Sequence, residues 1–317
     1  KAMQGHPEDI VPCLRCSNCY HIATDHWNVG CSVNPRYHNE DFIPSNRCIG
    51  KAIEKKHVVI IGAGPAGLKA AITASDRGHD VTLIEKSNSL GGLLKVIASE
   101  KHKEEVQRLL KYYRTQIDKR PIQVLLNTQA TPEMVKALNP DSILIAIGAK
   151  ERILPISGID NKKVVLATNA IMNPDMLGQK VAILGGGSIG CEIALELAED
   201  GKDVSIIEVT DLLAANANSL YREALRQKFL LHDNIHSLLS CSCTKIEDEK
   251  ILYKDRNGQE QIFTYDNLIL STGLLPQIDL VEQFYGICRD TVAIGDCIKP
   301  SSIMNANYEG FVNALNI

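Results

Sequence analysis

Residues 57–86 read HVVIIGAGPAGLKAAITASDRGHDVTLIEK, and the order of residue types within them dictates a fold. The apolar run HVVII has the length and branched composition of a buried strand. Gly62, Gly64 and Gly67 follow it as G-x-G-x-x-G, a helical stretch runs to Gly78, and a second apolar strand closes on Glu85. Strand, glycine turn, helix and strand make one βαβ start. The first glycine allows the tight turn, the second lets backbone approach a pyrophosphate, and the third permits close packing of helix on strand. The helix N-terminus adds free N–H groups and a positive dipole. Glu85, 23 residues after Gly62, stands where a carboxylate accepts hydrogen bonds from an adenosine ribose.

Residues 180–209, KVAILGGGSIGCEIALELAEDGKDVSIIEV, repeat the unit 123 residues later. That period is too long for a solenoid and predicts two nucleotide-binding domains. Gly185, Gly187 and Gly190 repeat the glycines, and Glu208 repeats the terminal acid at the same spacing. Two features favour FAD in the first copy: Gly91 and Gly92 soon after the acid, and TVAIGD at 291–296, an apolar strand ending on Gly295 and Asp296. Such an aspartate meets the ribityl chain and pyrophosphate in flavoproteins with two dinucleotides. The second copy is expected to take NADH. A carboxylate at Glu208 accepts a ribose 2′-OH and repels a 2′-phosphate, and EVTDLL at 208–213 offers no Arg or Lys to offset it. Glu192 has two readings, a group facing the nicotinamide or an acid in the first helical turn complementing the dipole.

The 317 residues suit two domains and a small satellite. With 44% hydrophobic and 23% charged residues and a net charge of −4, a disordered chain and a basic nucleic-acid footprint are both excluded. No run approaches the roughly 18 apolar residues of a membrane span, and the N-terminus lacks signal-peptide order, so a cytoplasmic location is expected. Five of the ten cysteines, Cys13, Cys16, Cys19, Cys31 and Cys48, fall in the first 50 residues. In a reducing compartment such a cluster reads as metal or redox ligands, not disulfides. C-x2-C-x2-C-x11-C fits a [4Fe–4S] cluster, three close thiolates wrapping one side and a fourth closing it. Structural zinc is the alternative, and it ordinarily takes paired ligands from two knuckles. His6, His21, His26, His38 and Trp27 read as surface or packing groups around the cluster, and Cys48 as a buried small residue. No C-x-x-C lies beside either fingerprint, so a flavin-linked disulfide relay is not expected; Cys191, Cys241 and Cys243 read as packing residues.

These stretches carry a resemblance. EDIVPCLRCSNCY (8–20), GCSVNPR (30–36), HVVIIGAGPAGLKAA (57–71), VAILGGGSIGCEIA (181–194) and AIGDCIKPSSIMNANYEG (293–310) are similar to the C-terminal half of a family of iron–sulfur flavoenzymes. Its members are the 2,4-dienoyl-CoA reductases, 2-enoate reductases and trimethylamine dehydrogenase. The resemblance implies an α/β fold of two Rossmann-like, disulfide-reductase-like domains behind a loop-rich iron–sulfur segment. The segment is expected at 1–50, the FAD domain at 51–154, the NADH domain at 155–275, and a return to the FAD domain at 276–317. Implied cluster ligands are Cys13, Cys16, Cys19 and Cys31. FAD is assigned to Gly62, Gly64, Pro65, Ala66, Gly67, Glu85, Lys86, Gly92, Leu93, Gly295 and Asp296. NADH is assigned to Gly185, Gly187, Ser188, Ile189, Gly190, Glu192 and Glu208. GGLLKVI at 91–97 departs from several relatives, which have a polar residue after the glycine pair.

In the family an N-terminal TIM barrel carries FMN and the substrate site. The present sequence, starting at Lys1, is expected to lack that barrel and to be part of a longer protein. The implied activity is electron input from NADH through FAD and the cluster to the barrel, for reduction of an activated C=C bond. Positioning does the catalytic work, and no acid or base is assigned here. The alternative is a non-catalytic module holding ADP and a metal cluster. No nucleic-acid or membrane partner is expected, and the sequence leaves room for a homo-oligomer.

Overall fold

The computed structural model of the chain describes residues 3, 5–23, 30–43 and 50–317; the expectations for His26, Trp27 and Cys48, and that for the side chain of His21, fall outside what it describes. The chain divides into two units. Unit 1 is Lys1–Ala98, His102–Lys150 and Leu275–Ile317; unit 2 is Ser99–Lys101 and Glu151–Leu274.

Unit 1 opens with the cysteine segment, in which 3-10 turns at Pro7–Asp9 and Asn18–Ala23 are the regular elements among the described residues. There follow β1 (His57–Ile61), α1 (Pro65–Arg77), β2 (Asp80–Ile84), α2 (Leu94–Ile97), α3 (Glu104–Asp118), β3 (Ile122–Leu125), α4 (Pro132–Ala137) and β4 (Ser142–Ile145). The short strand β5 (Lys150–Glu151) leads out of the unit. Strand β1 is apolar on both faces because both are covered, as parallel sheets require. Val58 and Ile60 pack with Leu68, Leu109 and Tyr113 on one side. Val59 and Ile61 pack with Val135, Ile143 and Phe284 on the other.

Unit 2 contains β6 (Val164–Leu166), α5 (Ala167–Met172), β7 (Lys180–Leu184), α6 (Ser188–Glu199), β8 (Asp203–Ile207), α7 (Ser219–Phe229) and β9 (Ile235–Leu238). A three-stranded antiparallel meander follows, β10 (Ser242–Ile246), β11 (Lys250–Lys254) and β12 (Glu260–Thr264), then β13 (Asn267–Leu270) and β14 (Leu274–Leu275). The parallel sheet has the order β6-β13-β7-β8-β9. One face carries Val181 and Ile183 against Cys191, Ala194 and Leu225, and the other carries Ala182 and Leu184 with Ile251 and Tyr265.

From Leu275 the chain is again in unit 1, forming α8 (Ile278–Glu282), β15 (Asp290–Ala293) and α9 (Ile303–Leu315). Strand β15 pairs in parallel with β4 and completes the order β15-β4-β1-β2-β3. The two sheets therefore share one plan, but the outer strand arrives from after unit 2 in the first and from before the fingerprint in the second. No helix among the described residues is long and apolar enough to cross a membrane.

Candidate functional site

In each sheet the fingerprint turn sits at the topological switch point, where successive connections leave the central strand in opposite directions and open sheets bind ligands. Gly62 and Gly185 adopt φ of +100° and +107°, and a Cβ on either would lie 2.3 Å from a backbone oxygen, of Ala146 beyond β4 or of Ser271 beyond β13. A Cβ on Gly67 or Gly190 would lie 1.9 or 2.1 Å from the oxygen of Gly62 or Gly185. Gly64 and Gly187 differ. Their φ angles of −76° and −66° suit any residue, and a Cβ would meet nothing within 4 Å. Neither the backbone nor the packing explains a glycine there. Each also occupies the N-cap of α1 or α6 with no side-chain cap. First-turn N–H groups are thus left for an anion, which is what a dinucleotide pyrophosphate needs.

The two strand-end acids are held identically. Glu85 Oε2 accepts from Ala63 N at 2.8 Å, and Oε1 accepts from Ser87 N and Oγ at 2.8 and 2.7 Å. Glu208 Oε2 accepts from Gly186 N at 2.5 Å, and Oε1 from Thr210 N and Oγ1, both at 2.8 Å. Both acids are buried. A carboxylate offers about four lone-pair sites. These contacts use three of them and leave one for a ribose hydroxyl. Ser87 and Thr210 were missed in the sequence, although comparing the copies exposes a shared acid-x-Ser/Thr pattern. Lys95 Nζ, 2.9 Å from Ser87 Oγ, extends the first network.

Around Gly64 and Ala66 several of the remaining unit 1 candidates come together. A Cβ on Gly92 would lie 2.9 Å from Gly64 Cα, and Gly91 N donates to Ala63 O at 2.9 Å. A Cβ on Gly295 would lie 3.1 Å from that of Ala66, and one on Gly310 2.3 Å from Ala66 O, so α9 abuts the start of α1. Asp296 is half-buried, and its Oδ1 accepts from Ser301 N at 3.0 Å; burial raises its carboxyl pKa. Glu309 was not foreseen: its Oε2 accepts from Gly295 N at 2.5 Å. Pro65 opens α1 and Leu93 precedes α2, whereas Lys86 is exposed beyond β2.

In unit 2, Ser188 begins α6 and Ile189 is exposed in its first turn. Glu192 lies past the first turn, because α6 starts at Ser188, which corrects the dipole reading. Its carboxylate accepts the Tyr221 hydroxyl.

The cysteine segment packs on the same unit as the first fingerprint. Cys13 and Cys31 line one cavity of about 340 Å³ with Val33, Arg36, Lys69 and Tyr112. Cys16 Sγ lies 3.1 Å from Ser32 Oγ, and Cys19 is in the following 3-10 turn. Arg15 and Ser17, between the first three cysteines, adopt φ of +51° and +59°. Left-handed residues at alternate positions curl the backbone, and Arg15 N donates to Cys13 Sγ at 3.3 Å. A curled loop with an N–H group directed at sulfur suits an iron–sulfur cluster, whose thiolates are stabilised by such bonds. His6 and His38 are exposed. Cys191 and Cys241 are buried in the unit 2 core with Cys243 packed beside Cys241, and burial pushes the Cys191 thiol up to about 12 and that of Cys243 to about 11.

Paired switch-point turns, each with an uncapped helix and a tethered strand-end acid, give each unit the features of a dinucleotide site. The sequence profile of the pyridine nucleotide-disulphide oxidoreductase family matches residues 56–310, and the chain belongs to that family. It is accordingly a flavin oxidoreductase module with sites for FAD and NAD(P)H. Cinnamate reductase of Clostridium sporogenes is 32% identical over 320 residues, covering 100% of this chain and 47% of that protein. NADH oxidase of Thermoanaerobacter brockii is 28% identical, covering 100% and 49%. The solved complex of 2-naphthoyl-CoA reductase with 2-naphthoyl-CoA superposes with a TM-score of 0.93 at 32% identity, covering 100% of this chain and 48% of that one. The chain thus spans about half the length of these relatives, and the resemblance drawn from its motifs holds.

Proposed function

We propose that this chain is the electron-input module of a larger reductase, passing electrons from NADH through FAD to a [4Fe–4S] cluster and on to an FMN-containing barrel outside this sequence. The observation that carries the reading is the position of α9. At its start the helix follows Gly295–Asp296 beside the first fingerprint. Along its side, Met304, Asn305, Tyr308 and Glu309 line a cavity of about 580 Å³ with Gly30 and Cys31 of the cysteine segment. One helix therefore touches the place proposed for the flavin and the place proposed for the cluster.

The flavin supplies the conversion between two-electron hydride and single electrons that a nicotinamide and a cluster cannot make directly. The protein's part is to hold the groups. Uncapped N–H groups at Gly64 and Gly187 receive the pyrophosphates, Glu85 and Glu208 each accept one ribose hydroxyl, and Cys13, Cys16, Cys19 and Cys31 bind the iron. The Glu208 carboxylate favours NADH, since a 2′-phosphate would face a buried negative charge. An activated C=C bond as the final acceptor is supported by the reductases among the relatives, which include a cinnamate reductase and a 2-naphthoyl-CoA reductase.

The test is an anaerobic visible spectrum before and after one equivalent of NADH. Flavin bands over a broad iron–sulfur shoulder, both bleaching with NADH, are expected. A colourless protein carrying tightly bound ADP would replace the proposal with a non-catalytic module. Cys16→Ala is expected to lose cluster iron while NADH still reduces the flavin; unchanged iron would remove Cys16 from the ligand set.

A further inference from the structure

A buried polar chain runs from the interior of unit 1 to the cysteine segment. Tyr113 on α3, Asn307 on α9 and Ser32 are 1%, 0% and 4% exposed. The Tyr113 hydroxyl donates to Asn307 Oδ1. Asn307 Nδ2 donates to the backbone oxygen of Ser32 at 2.6 Å. Asn18 Nδ2 donates to Ser32 Oγ at 2.9 Å, and Ser32 Oγ lies 3.1 Å from Cys16 Sγ. The direction of the last bond follows from the others. An amide nitrogen only donates, so Ser32 Oγ accepts from Asn18 and its own proton remains for the sulfur. A metal-bound Cys16 is a thiolate with no proton of its own and can only accept.

Packing alone does not call for this chain, because an apolar side chain at 307 would bury as well without needing partners. A buried polar network is costly unless every member is satisfied, and when satisfied it fixes one geometry. Here the geometry fixed is that of Ser32, the residue after Cys31, at hydrogen-bond distance from a second cysteine 16 residues earlier in the chain.

We propose that Ser32 is a positioning residue that donates a hydrogen bond to the Cys16 thiolate and raises the reduction potential of the cluster, and that Asn307, braced by Tyr113, holds Ser32 in place. The inference rests on the cluster assignment made above. A proton donated to a cluster thiolate disperses negative charge, and the reduced cluster carries one negative charge more than the oxidised one. The bond therefore favours reduction. The same chain ties the cysteine loop to α9, the helix that begins at the proposed flavin site, so both redox sites share one rigid support.

The experiment is an EPR-monitored redox titration of the anaerobically isolated protein, with iron and sulfide content measured on the same samples. Ser32→Ala is expected to keep its iron and to titrate at a more negative potential than wild type. Ser32→Thr, which retains the hydroxyl, should return toward the wild-type value. Asn307→Ala leaves Ser32 and all four cysteines in place and should shift the potential in the same direction by less. Ser32→Ala with full iron and an unchanged potential would overturn the proposal while leaving the cluster assignment intact. Wild-type protein without iron or sulfide would overturn that assignment and the proposal with it. Should Ser32→Ala lose its iron, Asn307→Ala decides, and an unchanged potential there counts against the proposal.

Discussion

The glycines of the first fingerprint serve different ends, and adding one methyl group to each separates them. A Cβ on Gly67 would lie 1.9 Å from Gly62 O, which is 1.5 Å inside the 3.4 Å of an ordinary contact. Both partners are backbone and neither can rotate aside, so helix and strand must part. Overpacking of this kind costs about 1–3 kcal/mol, and the rigid contact argues for the upper end. At roughly 2–4 °C per kcal/mol for a domain of this size, Gly67→Ala is expected to lower the melting temperature by about 6–12 °C, with or without cofactor. A Cβ on Gly64 meets nothing within 4 Å, and its φ of −76° is open to alanine. The flavin-free protein should then change by less than about 1 kcal/mol, a small loss of unfolded-state entropy opposing a poorer N-cap. Binding is different, because the methyl occupies the side from which a pyrophosphate must reach the helix N-terminus. Losing one charge-assisted hydrogen bond, about 1.5–3 kcal/mol, weakens FAD roughly ten- to a hundredfold. Thermal melts of flavin-free protein and flavin retained after exhaustive dialysis measure the two effects. If Gly64→Ala melted as low as Gly67→Ala, or retained flavin like wild type, the assignment of separate roles would be wrong.

Two further outcomes follow from buried charge. Glu208→Gln keeps an oxygen to accept from Gly186 N but removes the negative charge, so the preference for NADH over NADPH in flavin reduction should fall by about tenfold; an unchanged ratio would remove Glu208 from the site. His79 is 3% exposed, its Nδ1 accepts from Lys56 N at 3.2 Å, and its Nε2 has no hydrogen-bond partner. Burial first, then the charges of Arg77 and Lys56, hold its pKa below the ordinary 6.5. The unfolded chain therefore takes up a proton near pH 6.5 that the folded one refuses. The stability contributed is full above that pH and is lost as the pH falls below it. Melting temperatures between pH 7.5 and 5.5 should drop less in His79→Gln than in wild type, and parallel curves would refute this.

Both βαβ starts were legible in the chain because their information is local. A five-residue apolar run, three glycines and a helix followed by an acid need no distant partner to be recognised. Glu192 shows the limit, since placing it in the first turn required knowing where α6 begins. Ser87 and Thr210 went unnoticed because a lone hydroxyl after an acid carries no signal until the tethered carboxylate shows its use.

The cysteine spacing, the doubled fingerprint and the acid at each strand end are properties of short segments and stand in the sequence whatever the rest of the chain does. The approach of Gly295 to Ala66, the bond from Gly295 N to Glu309, and the line from Tyr113 through Asn307 to Ser32 are of another kind. They arise because β15 pairs with β4 across the whole of unit 2, so that α9 is laid against α1. Long-range pairing of that sort leaves no periodic trace in the residues it joins, and it appears only when the chain is folded.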